Sequence, residues 1–125
     1  MIVADTSVLV DYLRGDAGAR AAFEHARSAG EPLVGSVLTC VEVLAGARRP
    51  EERSTRALLD ELEWIPVDVE LADAAGSLAR RFGRTHPGID VTDYVIAATV
   101  DHLDATLWTR NLRHFPMFPR LAAPY

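Results

Sequence analysis

The chain has 125 residues, 49% of them hydrophobic and 25% charged, the balance of an ordinary globule with one sizeable core. A net charge of −5 lacks the overall basic footprint of a general nucleic-acid binder, and no stretch approaches the ~20 apolar residues of a membrane span. All 13 basic residues are arginine, so there is no lysine for a P-loop or a Schiff base.

Residues 2–5 read as a short buried strand that ends in a carboxylate, Asp5. A helix follows, with Leu9, Tyr12 and Leu13 on one face and Gly15 closing it. Asp16 is placed to cap a second helix, in which Ala19, Ala22, Phe23 and Ala26 keep helical period as far as Gly30. Residues 32–37 read as a second strand. The next helix spans about 38–47, with Leu38, Val41, Glu42 and Ala45 on one face. Another starts at Pro50, where Glu51 and Glu52 suit the positive end of the helix dipole and Thr55, Leu58, Leu59 and Leu62 mark the buried side. Residues 64–67 form a third strand. Asp68 caps a helix whose stripe is Leu71, Ala75, Leu78, Ala79 and Phe82. A loop over 85–88 leads to Asp90 and to a helix running to about Leu103, apolar almost all round and so expected to be buried on several sides. Residues 106–109 form a fourth strand. The tail carries Pro116, Pro119 and Pro124 and offers at most a short edge strand.

Strands alternating with helices predict a single α/β domain over residues 1–125, with a mostly parallel sheet of four to five short strands and helices on both faces. Ligands in such sheets bind beyond the carboxyl ends of the strands. Asp5 ends the first strand and Asn111 follows the fourth by two residues, so both belong on that rim.

Asp5, Glu42, Asp90 and Asp93 all sit in apolar surroundings, where an ionised carboxylate is costly unless something positive answers it. Two unit charges ~4 Å apart repel by about 4 kcal/mol at an effective dielectric of ~20. A bound divalent cation is the most economical compensation, which points to a metal-dependent site. Each residue also has a structural reading. Asp5 or Thr6 can cap the first helix, Glu42 can pair with Arg48 or Arg49, Asp90 with Asp93 can form the capped start of the buried helix, and Asn111 can cap the short turn after it. Capping and ligation are compatible, because a carboxylate has two oxygens. Ser7 is placed to orient Asp5 or to hold a water.

Asp5-Thr6-Ser7, Glu42 in a Val-Glu-Val-Leu setting, Asp93-Tyr94-Val95-Ile96-Ala97-Ala98 and Thr109-Arg110-Asn111-Leu112-Arg113-His114-Phe115 together resemble PIN-domain ribonucleases, most closely VapC-type toxins of type II toxin–antitoxin modules. The likeness spans essentially the whole chain. It implies a PIN fold and an endoribonuclease that cuts single-stranded or loop regions of structured RNA. On this resemblance Asp5, Glu42 and Asp93 hold Mg²⁺ or Mn²⁺, and Asn111 stands where many members carry a further aspartate, with Asp90 as a possible supplement. Arg110 or Arg113 is expected to grip a flanking phosphate. A VapB-type antitoxin, RNA and a second copy of the chain are the implied partners.

Two other readings stay open. An aspartyl-phosphate protein would also end its first strand in an aspartate, but it normally uses a lysine, which this chain lacks. A non-cutting PIN-like scaffold is expected to lose acidic residues, and here three are retained. The histidines His25, His86 and His102 show no zinc-ligand spacing, and only His114 lies near a candidate site loop. The single Cys40 and the absence of a basic leader before the first strand fit a reducing cytoplasm.

Overall fold

A computed structural model describes residues 1–125. Ten regular elements follow in order: β1 (Ile2–Ala4), α1 (Thr6–Leu13), α2 (Ala17–Ser28), β2 (Leu33–Ser36), α3 (Val37–Gly46), α4 (Glu52–Leu59), β3 (Glu63–Ile65), α5 (Val69–Phe82), α6 (Val91–Leu103) and β4 (Thr106–Trp108). Short 3-10 turns occupy Arg49–Glu51 and Leu112–His114. The expected helix start at Pro50 is therefore a 3-10 turn, and the α-helix begins two residues later.

The sheet has four strands, all parallel, in the order β3-β2-β1-β4. The proline-bearing tail adds no strand. The chain winds from β1 outward to β2 and β3, then returns to the other side of β1 to form β4. The order reverses at β1, and the crevice beyond the strand ends opens there. Right-handed crossovers put helices reached in one direction on one face and those reached on the return on the other. Ile2 and Ala4 accordingly pack with Val8, Leu9, Phe23, Val43 and Leu58 from α1 to α4. Val3, one residue out of phase, packs with Ile96, Ala97 and Val100 of α6 on the opposite face. Eight consecutive residues of α6, Asp93 to Val100, are buried, as its apolar circumference requires.

One helix presents a different face from the one expected. In α3 the buried residues are Thr39 and Val43; of the expected face only Leu38 packs inward, half-buried against the core around Leu71 and Tyr94, while Val41, Glu42 and Ala45 do not. Val41 is 62% exposed, and Glu42 and Ala45 are exposed as well. A helix apolar on both sides leaves the stripe ambiguous, and contact with α1 and α4 decides it. Trp64, Trp108, Met117 and Phe118 all pack against the core. Trp108 meets Phe23 edge-on at 5.3 Å between ring centres, Trp64 donates from Nε1 to the Leu59 carbonyl at 3.0 Å, and Met117 and Phe118 lie against the α6 side of the core. No helix is long and apolar enough to cross a membrane.

Gly35 in β2 has the indole of Trp64 laid directly over it, and an added Cβ would sit 2.6 Å from the ring. The ring is held by its bond to Leu59, so it cannot swing away freely. Gly35→Ala should destabilise the fold by about 1–3 kcal/mol, the usual range for overpacking, read as a lower midpoint in thermal or urea unfolding; an unchanged midpoint would show that the indole is free to move.

Candidate active site

The parallel register pairs Ala4 with Trp108, so the next residues, Asp5 and Thr109, emerge side by side at the sheet rim. The Asp5 N–H donates to the Trp108 carbonyl at 2.9 Å. Asp5 is the N-cap of α1, its Oδ1 accepting the Thr6 N–H at 2.7 Å. Its Oδ2 accepts the hydroxyls of Thr109 at 2.7 Å and Ser7 at 3.0 Å. Those hydroxyls in turn accept backbone N–H groups, Thr109 from Asn111 at 2.9 Å and Ser7 from Arg110 at 3.0 Å. A carboxylate only 4% exposed is thus held by oriented neutral donors rather than by a counter-charge.

Asp93 enters from the first turn of α6 and is 8% exposed. Its Oδ2 accepts the Asp90 N–H at 3.1 Å and lies 3.1 Å from His114 Nδ1. The capping arrangement read from the sequence is present, and it occupies one oxygen only; Oδ1 has no donor within the chain. Burial pushes the Asp93 carboxyl above its usual range. The Asp90 N–H and His114 act against that shift, and the charges of Asp5 and Asp90 add to it.

Glu42 reaches the site from the middle of α3. It is exposed rather than buried, a correction to the expectation drawn from its apolar neighbours. Its carboxyl end leans inward, where Oε1 accepts the Thr6 hydroxyl at 3.2 Å. The Glu42 carboxyl is also pushed up, first by desolvation at that contact, against the Thr6 donor, and then by Asp5, Asp93 and Asp90. Thr6 is a residue that sequence reasoning treated only as a cap, yet it links Asp5 to Glu42. Asp90 is exposed at the helix start and contributes its charge and its N–H, so two of the four carboxylates are buried and two stand at the rim.

The remaining candidates are placed differently. The Asn111 side chain makes no hydrogen bond and does not cap the following turn; only its N–H serves the site. Arg110 does not reach toward the carboxylates. Its guanidinium lies over the Tyr125 ring, 4.9 Å from the centroid, and Nη1 donates to the Tyr125 carbonyl. Tyr125 is tied in turn by its hydroxyl to Asp11 at 2.9 Å. Arg113 is exposed and unpaired. Arg27 and Arg48 pair with Glu24, Glu61 and Glu51, away from the site. His114 is therefore the single basic side chain in contact with the carboxylate group. The largest cavity, about 580 Å³ between α5 and the far end of α6, holds none of these residues.

The charges of Asp5 and Asp93 act on Glu42, and that of Asp5 on Asp93, with no arginine among the groups acting on either. Two helix N-termini, those of α1 and α6, point positive ends at the cluster and favour negative charge there. The donors are all oxygen, which suits a hard divalent cation. They do not form a closed ligand set, since no three Asp, Glu, His or Cys side chains converge tightly enough for one. Mg²⁺ is commonly held by one or two carboxylates with several waters kept, so an open set with Asp93 Oδ1 free of donors fits such an ion.

A family model for the PIN domain matches residues 2–122, and the chain belongs to that family. Over 125 residues it is 42% identical to Ribonuclease VapC19 of Mycobacterium tuberculosis, covering all of both chains. It is 41% identical over 125 residues to Ribonuclease VapC10 of the same organism, covering all of this chain and 93% of the other. Among solved structures, a toxin–antitoxin complex from Klebsiella pneumoniae superposes with a TM-score of 0.82 at 28% identity, over 100% of this chain and 98% of that one. VapBC2 from Rickettsia felis, bound to a promoter DNA fragment, matches with a TM-score of 0.78 at 21% identity over 98% of this chain and 97% of that one, a likeness of fold.

Thr109 has 0% exposure and carries the shortest side-chain hydrogen bond to Asp5. Thr109→Val removes that donor and strands the Asn111 N–H while keeping the volume. A hydrogen bond to a charged group is worth about 1.5–3 kcal/mol, so the thermal midpoint should fall correspondingly; an unmoved midpoint would mean that Ser7 and Thr6 suffice to hold Asp5.

Proposed function

We propose that this chain is a metal-dependent endoribonuclease of VapC type, the toxin of a toxin–antitoxin module, cutting single-stranded or loop regions of structured RNA. The observation that carries the reading is that Asp5, Glu42 and Asp93 lie close enough beyond β1 for Asp5 and Asp93 to push the Glu42 carboxyl up and Asp5 to push Asp93 up, with no arginine acting on either. Full-length likeness to chains named as VapC ribonucleases supports the RNA substrate, and the match to a toxin–antitoxin complex supports an antitoxin partner. Homodimerisation belongs to the same proposal and is read from the mass in solution.

Asp5, Asp93 and Glu42 would hold Mg²⁺ or Mn²⁺. When bound, the ion supplies activation of water and neutralisation of charge on the phosphodiester. The chain's own work is placement. Ser7, Thr6 and Thr109 lock Asp5 in one orientation, so its charge is set before substrate arrives. Asp93 keeps one oxygen for helix capping and offers the other. Glu42, on the exposed rim, sits where an incoming RNA strand first meets the site. The free Asn111 amide can bind a water or a phosphate oxygen, and Arg113 is unencumbered for a flanking phosphate. Beside Glu42 a groove of about 420 Å³ runs between α1, α3 and the first 3-10 turn, walled by Val10, Leu13 and Val43 with Arg14 and Arg48 at its edge. Its mixed apolar and charged lining suits a segment of the antitoxin.

Total RNA incubated with the protein and Mg²⁺ should be cleaved. Chelation, Asp5→Asn or Asp93→Asn should each cut the rate by about a hundredfold or more, the scale of losing one preorganised group at the reacting charge. Full activity in the Asp93→Asn protein would refute the assignment, and RNA that binds without being cut would favour a scaffold. Separately, Mn²⁺ or Mg²⁺ should raise the melting temperature, with about 2.7 kcal/mol of added stability at 100 times the dissociation constant; no rise up to millimolar ion would exclude tight binding.

A further inference from the structure

His114 ends the 3-10 turn after β4, and the backbone that carries it is fixed at both ends. On one side Thr109 is fully buried and bonded to Asp5; on the other Phe115 is 1% exposed and packs into the α6 side of the core. Within the turn, the His114 N–H donates to the Asn111 carbonyl at 3.0 Å and the Phe115 N–H to the Leu112 carbonyl at 3.1 Å. The imidazole is thereby carried from the β4 loop across to the first turn of α6, where Nδ1 lies 3.1 Å from Asp93 Oδ2. The same oxygen already accepts the Asp90 N–H.

We propose that His114 is a positioning residue for the cation site. The Asp90 N–H bonded to Asp93 Oδ2 and the His114 ring nitrogen lying against the same oxygen hold it from two sides. They leave Oδ1 as the oxygen presented to the ion. A capped aspartate without the imidazole beside it is held by the Asp90 N–H alone and can pivot about it. His114 also couples the loop after β4 to the helix that supplies Asp93, so the two halves of the site keep their spacing. Groups that orient a metal-binding side chain commonly change metal affinity or activity 10–100-fold when removed. The proposal rests on the cation site proposed above, and its test separates the two.

Mn²⁺ affinity is measured on the protein without RNA, by electron paramagnetic resonance or titration calorimetry at one fixed pH. The variants are His114→Ala, His114→Asn, His114→Gln and Asp93→Asn. An asparagine amide nitrogen stands as many bonds from Cβ as Nδ1 does, whereas that of glutamine stands one bond further, at the distance of Nε2. His114→Ala and His114→Gln should weaken Mn²⁺ binding about tenfold, and His114→Asn should restore it to within about twofold of the parent. The histidine side chain is 41% exposed, so these variants are expected to fold; the Asn–Gln pair keeps a polar side chain in both arms should the alanine protein fail to do so. Affinity unchanged in His114→Ala, with binding lost in Asp93→Asn, overturns the role of His114 and leaves the cation site standing, and affinity unchanged in His114→Gln overturns the assignment to Nδ1. Equal weakening in Asn and Gln overturns the assignment to Nδ1. Unchanged binding in Asp93→Asn overturns the cation site and this proposal together.

Discussion

The pairing of β1 with β4 is the constraint from which the site follows. Thr109 and Asp5 are 104 positions apart in the chain, and their side chains meet at 2.7 Å because the two strands run parallel in a register that ends together. A charge buried at the end of β1 needs donors that local sequence cannot supply in full. Thr6 and Ser7 provide two, and β4 brings the third. The scale of the problem decides how many are needed. Two like charges ~4 Å apart at an effective dielectric of ~20 cost about 4 kcal/mol, while one hydrogen bond to a charged group returns about 1.5–3 kcal/mol. One donor would not suffice; three donors and a helix N-terminus can. Glu42 and Asp93 have fewer donors, and burial pushes both of their carboxyls upward.

Much of the architecture is legible in the sequence because hydrophobic period and caps agree. In α2, α4 and α5 the apolar stripe is narrow, the capping aspartates Asp16 and Asp68 accept from Ala19 and Leu71, and the expected faces are the buried ones. In α6 the stripe covers the whole circumference, which itself announces a helix enclosed on several sides. The exception, α3, shows the limit of the method. Its apolar residues outnumber what one face can hold, so period alone cannot say which side turns inward. A buried threonine, Thr39, lies on the true inner face while valine and alanine face outward. Only the neighbouring helices settle that choice, and they come from distant parts of the chain.

The site divides along the same line. Asp5 and Asp93 are legible because an acidic residue next to a strand end or at the head of a buried helix is conspicuous against apolar neighbours. Glu42 is singled out in the sequence for a reason that does not hold: it stands on the exposed side of α3 and is tied toward Asp5 through Thr6 rather than through burial. Arg110 looks from sequence like a phosphate clamp beside the site, yet the tail brings Tyr125 back over it. The tail crosses from the α6 side of the core, where Phe118 and Leu121 pack, to the α1 side, where Tyr125 packs. Nothing in its proline-rich sequence signals that path. Thr6 and His114 act through side-chain contacts between elements, a kind of information that spacing along the chain does not carry.

The structural and chemical readings of these carboxylates are compatible within one arrangement. An aspartate at a helix start must accept an N–H to stabilise the first turn, and one oxygen is enough for that. Asp93 gives Oδ2 to the Asp90 N–H and keeps Oδ1. Glu42 gives Oε1 to Thr6 and keeps Oε2. Asp5 differs, since both of its oxygens are engaged by the chain. It is the most firmly oriented of the three, with Oδ1 accepting a single N–H and keeping a lone pair for an ion, while Asp93 and Glu42 each keep an oxygen that accepts nothing from the chain. An amide in place of a carboxylate keeps an acceptor for the cap and removes the charge. For that reason Asp→Asn, unlike Asp→Ala, separates what the residue does for the helix from what it does for an ion.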